Sequence, residues 1–394
     1  MLARLFLLRS APRIHDDLGR IGQHASKLKR VRSTEKARYT DCCWRRPMQL
    51  AELENRLPAF CQAKYGHGNP RLGEVVKMPG HAGFAYGFRV DIEGRTDSWF
   101  LRLPPPDVNW VGTADVLRQV AALRAMEGTE VPHCSVEWAG DDLEWFDRPY
   151  FVVPWLEGDV MRFGQGDGRR DVEREWGADL TQKQKLDLGR QAMSALAGIH
   201  KVDPSLAAYL GSPVRLADDV ERWDKFFARA AEPDRLALVP EVRALLLKKM
   251  PIDPPVGIFH GDYHVGNLFC DTSACKLTAV IDWELCGIGA VQNDVGWAAT
   301  FSDPQAWDLR EGGGPGGRNM FLDPDTLIEL YNEAYGTTLG NMKWFRALAA
   351  YKFSIITGLN LSLHRRGKRE DPMWEDIGTS MTPLIERAHQ LLSG

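Results

Sequence analysis

At 394 residues with 44% hydrophobic side chains, the chain is long enough for two or more packed domains of ordinary globular composition. No run of about 18 uncharged apolar residues occurs, which argues against a membrane span. The seven cysteines are odd in number and lack paired C-x-x-C spacing, so they read as free thiols of a reducing compartment and leave structural zinc a poor fit.

The formal charge of −4 hides an asymmetry, because residues 1 to 47 hold 12 Lys and Arg against 4 Asp and Glu. That basic head, opening MLARLFLLRSAPRI, reads as a disordered, non-catalytic extension of a cytoplasmic protein. An organelle-targeting peptide, or sequence upstream of a start at Met48, is the alternative. It lacks aromatic interleaving, so nucleic acid is not an expected partner.

From Met48, MQLAELENRLPAFCQAKYG predicts a helix with Leu50, Leu57 and Phe60 on one side and Gly66 at its end. VVKMPGHAGFAYGFRVDIEG then reads as strand, glycine-bearing turn and strand, and SWFLRLPPP as a third strand stopped by Pro104 to Pro106. These three strands predict an antiparallel sheet. Val116, Val120 and Leu123 form one face of a helix over 114–127, and RPYFVVPWLEGD is a further apolar strand. Beyond it the pattern turns helical, with no clear strand until Ile258, and the boundary between two lobes is placed near residue 155. The expected parts are therefore an extension over 1–47, a sheet-rich N-lobe over 48–154 and a helical C-lobe over 155–394. In the last, Leu186, Met193, Leu196 and His200 share a helical face, and further helices are expected near 219–231, 324–335 and 343–363. REGGGPGGRNMF, with five glycines in six positions, reads as a linker, with an active-site lid as the second reading.

HGDYHVGNLFCDTSACKLTAVIDWE, residues 260 to 284, carries the chemistry. Leu268 to Cys270 and Thr278 to Ile281 predict a hairpin across the polar turn DTSACK, which brings Asn267 beside Asp282 at one end. The turn GDYHVG keeps Asp262 near the same end. Three such oxygen-bearing side chains suit a hard cation such as magnesium and the division of labour of phosphoryl transfer, with Asp262 as base and Asn267 and Asp282 as metal ligands. His260, Asp262 and His264 also alternate as a zinc set would, but no second histidine pair completes it. A serine hydrolase fails for want of a G-x-S-x-G elbow.

HGDYHVGN followed by IDWE, with NDVGWA at 293 to 298 after it, resembles the catalytic loop and metal motif of the aminoglycoside phosphotransferase and choline kinase-like family. The resemblance implies an α+β, bilobal protein-kinase-like fold, with a small antiparallel-sheet N-lobe and a larger, mainly helical C-lobe. It also implies that the loop holding Gly80 and Gly83 covers nucleotide phosphates, that Arg102 is the phosphate-contacting cation, and that Val153 and Trp155 belong to the hinge beside the nucleotide base. Taken by themselves, Gly80 and Gly83 are equally well explained as turn residues. Three positions depart from the family pattern: Arg102 stands where kinases carry Lys, Gln119 where its Glu partner is expected, and Pro154 removes a hinge N–H.

The expected function is transfer of the γ-phosphoryl group of ATP or GTP, with magnesium, to a hydroxyl of a small molecule. The alternatives are a choline-type amino-alcohol kinase, in which some of Trp176, Trp223, Trp283, Trp297, Trp307, Trp344 and Trp374 would hold a quaternary amine, and a catalytically silent nucleotide-binding regulator. Asp294 reads as a structural anchor, and the basic HRRGKRED at 364 to 371 as a solvated helix end.

Overall fold

The computed structural model describes residues 48–78, 84–106, 108–160, 180–308 and 322–394. The extension over 1–47, the turn holding Gly80 and Gly83, Trp176 and the whole glycine-rich stretch lie outside them. The chain divides into two compact units, one reaching Leu117 and resuming over Glu137–Trp155, the other made of Arg118–Val136 with Leu156–Gly394.

The smaller unit opens with α1 (Leu50–Tyr65), ended by Gly66 in the left-handed region at φ 68, where glycine is favoured. Its buried stripe is Leu53, Leu57, Phe60 and Cys61. Leu50, expected on that stripe, is 36% exposed because it stands on the first turn, before the helix meets the sheet. The strands β1 (Arg71–Lys77), β2 (Ala85–Ile92), β3 (Arg95–Arg102), β4 (Trp138–Gly140) and β5 (Tyr150–Pro154) form one antiparallel sheet in the order β1-β2-β3-β5-β4. Period-2 alternation sends Tyr86, Phe88, Val90, Leu101, Tyr150 and Val152 into a core with the α1 stripe. Phe60 anchors this core, with its ring 5.1 Å from Phe146 and 5.4 Å from Tyr150.

On the opposite sheet face the register aligns Val76 with Gly87, Gly87 with Phe100, and Phe100 with Val153. The Trp155 ring lies over Gly87, where a Cβ would come within 2.6 Å of it. Only glycine lets the indole lie this close to the strand.

The larger unit is mainly helical. Its α2 (Val116–Ala125) begins at the end of the smaller unit, and α3 (Gln182–Lys201) starts at a capping box in which Thr181 and Gln184 satisfy each other's backbone N–H. α3 packs on α8 (Pro324–Tyr335), whose cap Asp323 accepts from the N–H groups of Asp325 and Thr326. Between them in sequence come α4 (Leu216–Glu221), α5 (Asp224–Phe227), α6 (Val239–Lys248) and α7 (Gln292–Phe301). The centre is α9 (Met342–Arg365), buried from Trp344 to Leu363 and packed against α7 and α11 (Met381–Ser393), with α10 (Met373–Gly378) between α9 and α11 in the chain. Gly296 allows α7 to touch α9: a Cβ there would lie 2.6 Å from the Phe345 carbonyl carbon.

Three further details differ from the sequence reading. The helix expected near 219–231 is two short helices, α4 and α5. Leu186 is 37% exposed, while Met193, Leu196 and His200 of the same expected face are buried. The stretch after residue 155 is not free of strand, because β6 (Asp159–Val160) pairs with β8 (Leu268–Asp271). A strand of two residues is too short to show a period. β8 and β9 (Lys276–Val280) form the expected hairpin, and β7 (Val256–Phe259) pairs with β10 (Gly287–Ala290). Among the described residues no helix is long and apolar enough to cross a membrane.

Trp223, Trp283, Trp297, Trp307, Trp344 and Trp374 are all buried. The basic segment at the end of α9 is tied into the surface, with Arg365 paired to Glu232 and Glu375 and Arg369 donating to Asn360.

Candidate active site

β7 delivers the chain to His260, and the segment up to Asn267 turns back into β8. In the hairpin Leu268 faces Val280, and the Ile281 N–H donates to the Asn267 carbonyl at 2.9 Å, so the ladder runs one step further and Asp282 follows it directly. Asp282 has φ 62, a left-handed conformation that Asp adopts more readily than most residues. Gly261, at φ +87, presses the loop against the turn after Asp282, where an added Cβ would meet the Leu285 carbonyl at 2.4 Å. Gly261→Ala is expected to destabilise the protein by about 2 kcal/mol. Denaturant titration checks this, and an unchanged midpoint would mean that the loop does not need this close approach.

Asp294, on α7, holds the loop from behind. Its carboxylate is fully buried and accepts the His260 N–H at 2.6 Å, the Gly261 N–H at 2.8 Å and His200 Nε2 at 3.1 Å. Burial pushes this carboxyl up, but these donors outweigh it and hold it below the usual carboxylate range. His260 is committed at both ring nitrogens. Nδ1 accepts the Asp262 N–H at 3.2 Å, and Nε2 donates to the Ile281 carbonyl at 2.9 Å. Burial pushes its pKa down, so it is the neutral tautomer with the proton on Nε2. A zinc ion would need one of those nitrogens. Among the described residues no group of three His, Cys, Asp or Glu side chains is placed to hold a metal.

Asp262 is buried beside this frame. Its Oδ1 accepts Trp297 Nε1 at 3.1 Å, and its Oδ2 lies 3.6 Å from His264 Nε2. Burial pushes the carboxyl up, but the charge of the neighbouring His264 outweighs it and leaves it at about 2. Asp262 is therefore a carboxylate at neutral pH. His264 accepts the Gly266 N–H through Nδ1 at 3.0 Å and stacks on Phe301 with ring centres 5.0 Å apart. Asn267 Nδ2 donates to the Asp262 carbonyl at 2.8 Å, which commits the amide nitrogen and leaves the amide oxygen as the end able to meet a cation.

Asp262, Asn267 and Asp282 are thus brought together within the larger unit. Arg102 and Val153 sit in the smaller unit on neighbouring strands, with Arg102 opposite Phe151 and Val153 opposite Phe100, while the Trp155 N–H donates to Ser98 at 2.9 Å. Gly80 and Gly83 lie outside the described residues. Sequence reasoning missed Trp297 and His200 as site partners. The available signal was NDVGWA, which sets Asp294 and Trp297 three residues apart and so on one face of a helix.

A five-stranded antiparallel sheet unit, and a helical unit carrying an Asp-x4-Asn loop and a hairpin that ends in Asp, define a protein-kinase-like phosphotransferase fold. The chain belongs to the phosphotransferase enzyme family, whose model matches residues 85–345. A protein from Ralstonia eutropha assigned as an aminoglycoside phosphotransferase shares the fold at TM-score 0.68 and 19% identity, over 86% of this chain and 98% of that one. A thermostable variant of aminoglycoside phosphotransferase APH(4)-Ia, in complex with AMP-PNP and hygromycin B, aligns at TM-score 0.53 and 13% identity, over 86% and 97%. Among curated proteins, acyl-CoA dehydrogenase family member 11 of Gallus gallus is 25% identical over 209 residues, which is 51% of this chain and 27% of that protein. The chain spans about a quarter of the length of such relatives.

Proposed function

We propose that the chain is a small-molecule kinase that moves the γ-phosphoryl group of a magnesium-bound nucleotide, ATP or GTP, to a hydroxyl. The observation that carries this reading is the state of Asp262: an ionised, buried carboxylate fixed through Oδ1, adjoining Asn267 and one hairpin end from Asp282. Such a carboxylate is a weak base. Its work is to accept the hydrogen bond of the acceptor hydroxyl, align its oxygen with the γ-phosphorus, and take the proton as the new O–P bond completes.

The donor set fits magnesium. The Asn267 amide oxygen and the Asp282 carboxylate are hard oxygen donors, and they would hold the ion, which when bound supplies positive charge against the phosphate oxygens. Arg102, at the end of β3, would serve as a phosphate-contacting cation through its planar fork. Val153 and Trp155 share the sheet face with Gly87 and would flank the nucleotide base. A solved structure of the same fold in complex with AMP-PNP is in line with this reading.

The experiment is a thermal-shift titration with AMP-PNP, with and without magnesium. A ligand at 100 times its Kd adds about 2.7 kcal/mol to stability, so the wild-type midpoint should rise and the magnesium-dependent part should vanish in Asn267→Ala and Asp282→Ala. A rise that is identical with and without magnesium would remove the metal role given to both residues.

A further inference from the structure

An aspartate that directs a hydroxyl must present one chosen oxygen, yet its terminal torsion is broad and roughly two-fold, so a neighbour has to fix it. In this chain the neighbour is Trp297. Indole Nε1–H is a donor only, and it is spent on Asp262 Oδ1 at 3.1 Å. The ring cannot move far: it is buried, and its centre lies 5.7 Å from that of Phe301 and 5.5 Å from that of Phe353. Its helix is fixed twice, by the close approach of Gly296 to the Phe345 backbone on α9 and by Asp294, which binds the N–H groups of His260 and Gly261. One stretch of α7 therefore holds both the backbone of the loop and the carboxylate it carries. The other oxygen, Oδ2, is 3.6 Å from His264 Nε2, beyond normal hydrogen-bond length.

We infer that Trp297 is a positioning residue for phosphoryl transfer, its N–H turning the Asp262 carboxylate so that Oδ2 receives the acceptor hydroxyl. The inference rests on the phosphotransferase reading. In the step it serves, the acceptor O–H bond breaks and its oxygen bonds to the γ-phosphorus. The bond from that phosphorus to the β–γ bridging oxygen breaks as well, the nucleoside diphosphate leaves with the bond's electron pair, and the proton passes to Oδ2. Without the indole N–H the carboxylate can rotate, and the hydroxyl loses its fixed approach while nucleotide binding is untouched.

Trp297→Phe keeps an aromatic ring among Phe301 and Phe353 and deletes the donor together with part of the ring volume. The probe is magnesium ATP with water as acceptor, followed by release of labelled phosphate from the full chain. The expected result is a kcat lower by about 10- to 100-fold, a KM for ATP within about twofold and no further loss when Trp297→Phe is added to Asp262→Asn. In parallel, the Trp297 indole proton, observed by NMR in 15N-tryptophan-labelled protein, should shift on Asp262→Asn and leave the other indoles in place. Wild-type kcat in Trp297→Phe, or an indole resonance indifferent to Asp262→Asn, overturns the inference and leaves the phosphotransferase reading standing. Wild-type protein that binds ATP but neither releases phosphate nor labels any hydroxylated acceptor overturns that reading and the inference with it.

Discussion

Asp262→Asn is expected to lower phosphoryl transfer by about 10²- to 10⁴-fold while the folded protein persists. The amide is nearly the same shape as the carboxylate. Its oxygen can still accept from Trp297 Nε1, and the backbone bonds of residue 262 to His260 Nδ1 and Asn267 Nδ2 do not involve the side chain. What changes is the second side-chain atom, which becomes an NH₂ donor where the acceptor hydroxyl needs an acceptor. The substitution also removes the charge that His264 favours in the folded state, so thermal stability should fall modestly while the protein stays folded. Steady-state kinetics with a thermal melt separates the two effects. Retention of wild-type kcat would dismiss Asp262 as the group that directs the hydroxyl.

The second large effect falls on stability. Asp294→Ala should destabilise the protein by about 3–5 kcal/mol, a large fraction of the 5–15 kcal/mol typical of a folded domain. Alanine leaves the N–H groups of His260 and Gly261 and the Nε2–H of His200 buried without an acceptor, and each orphaned donor costs about 1–3 kcal/mol. Asp294→Asn, which keeps one acceptor atom, should fall between alanine and wild type. The pH dependence has a definite sign. The folded carboxyl titrates below its unfolded value, so its contribution is complete above about pH 4 and is lost as pH falls through the folded value. The stability gap between wild type and Asp294→Ala should therefore narrow in acid. Urea titration measures both, and a gap below 1 kcal/mol at neutral pH would mean that Asp294 does not anchor the loop.

The fold and the heart of the site were legible in the sequence for a simple reason. The period of a hairpin is 2, so once Leu268 to Cys270 and Thr278 to Ile281 are read as strands, the residues flanking them have only one place to go. The same logic exposed β2, where Tyr86, Phe88, Val90 and Ile92 alternate with Gly87, Arg89 and Asp91. Other features depended on contacts between distant segments. Trp297 is 35 residues from Asp262 and reaches it only because Gly296 lets α7 close on α9. β6 has two residues and exists because β8 offers it an edge. His200 looked like one more position on a helical face, and only the tertiary structure gives its two nitrogens Asp294 and the Tyr331 hydroxyl. The histidines of the loop are a case in which pattern alone misleads. Their alternation mimics a zinc set, but hydrogen bonds to Asp262 and Ile281 take both nitrogens of His260 and one to Gly266 takes Nδ1 of His264.

Substrate choice depends on side chains whose positions carry no motif. The most direct test of the central claim therefore does not require the acceptor to be known beforehand. Full-length protein is incubated with magnesium and ATP labelled at the γ-phosphate, in the presence of a panel of hydroxylated small molecules that includes amino alcohols, aminoglycosides and hydroxy acids. Label is expected on the hydroxyl of at least one of them, dependent on magnesium and absent with Asp262→Asn. Label that reaches an acceptor equally well in Asp262→Asn, or none at all from wild-type protein that binds the nucleotide, would contradict the claim.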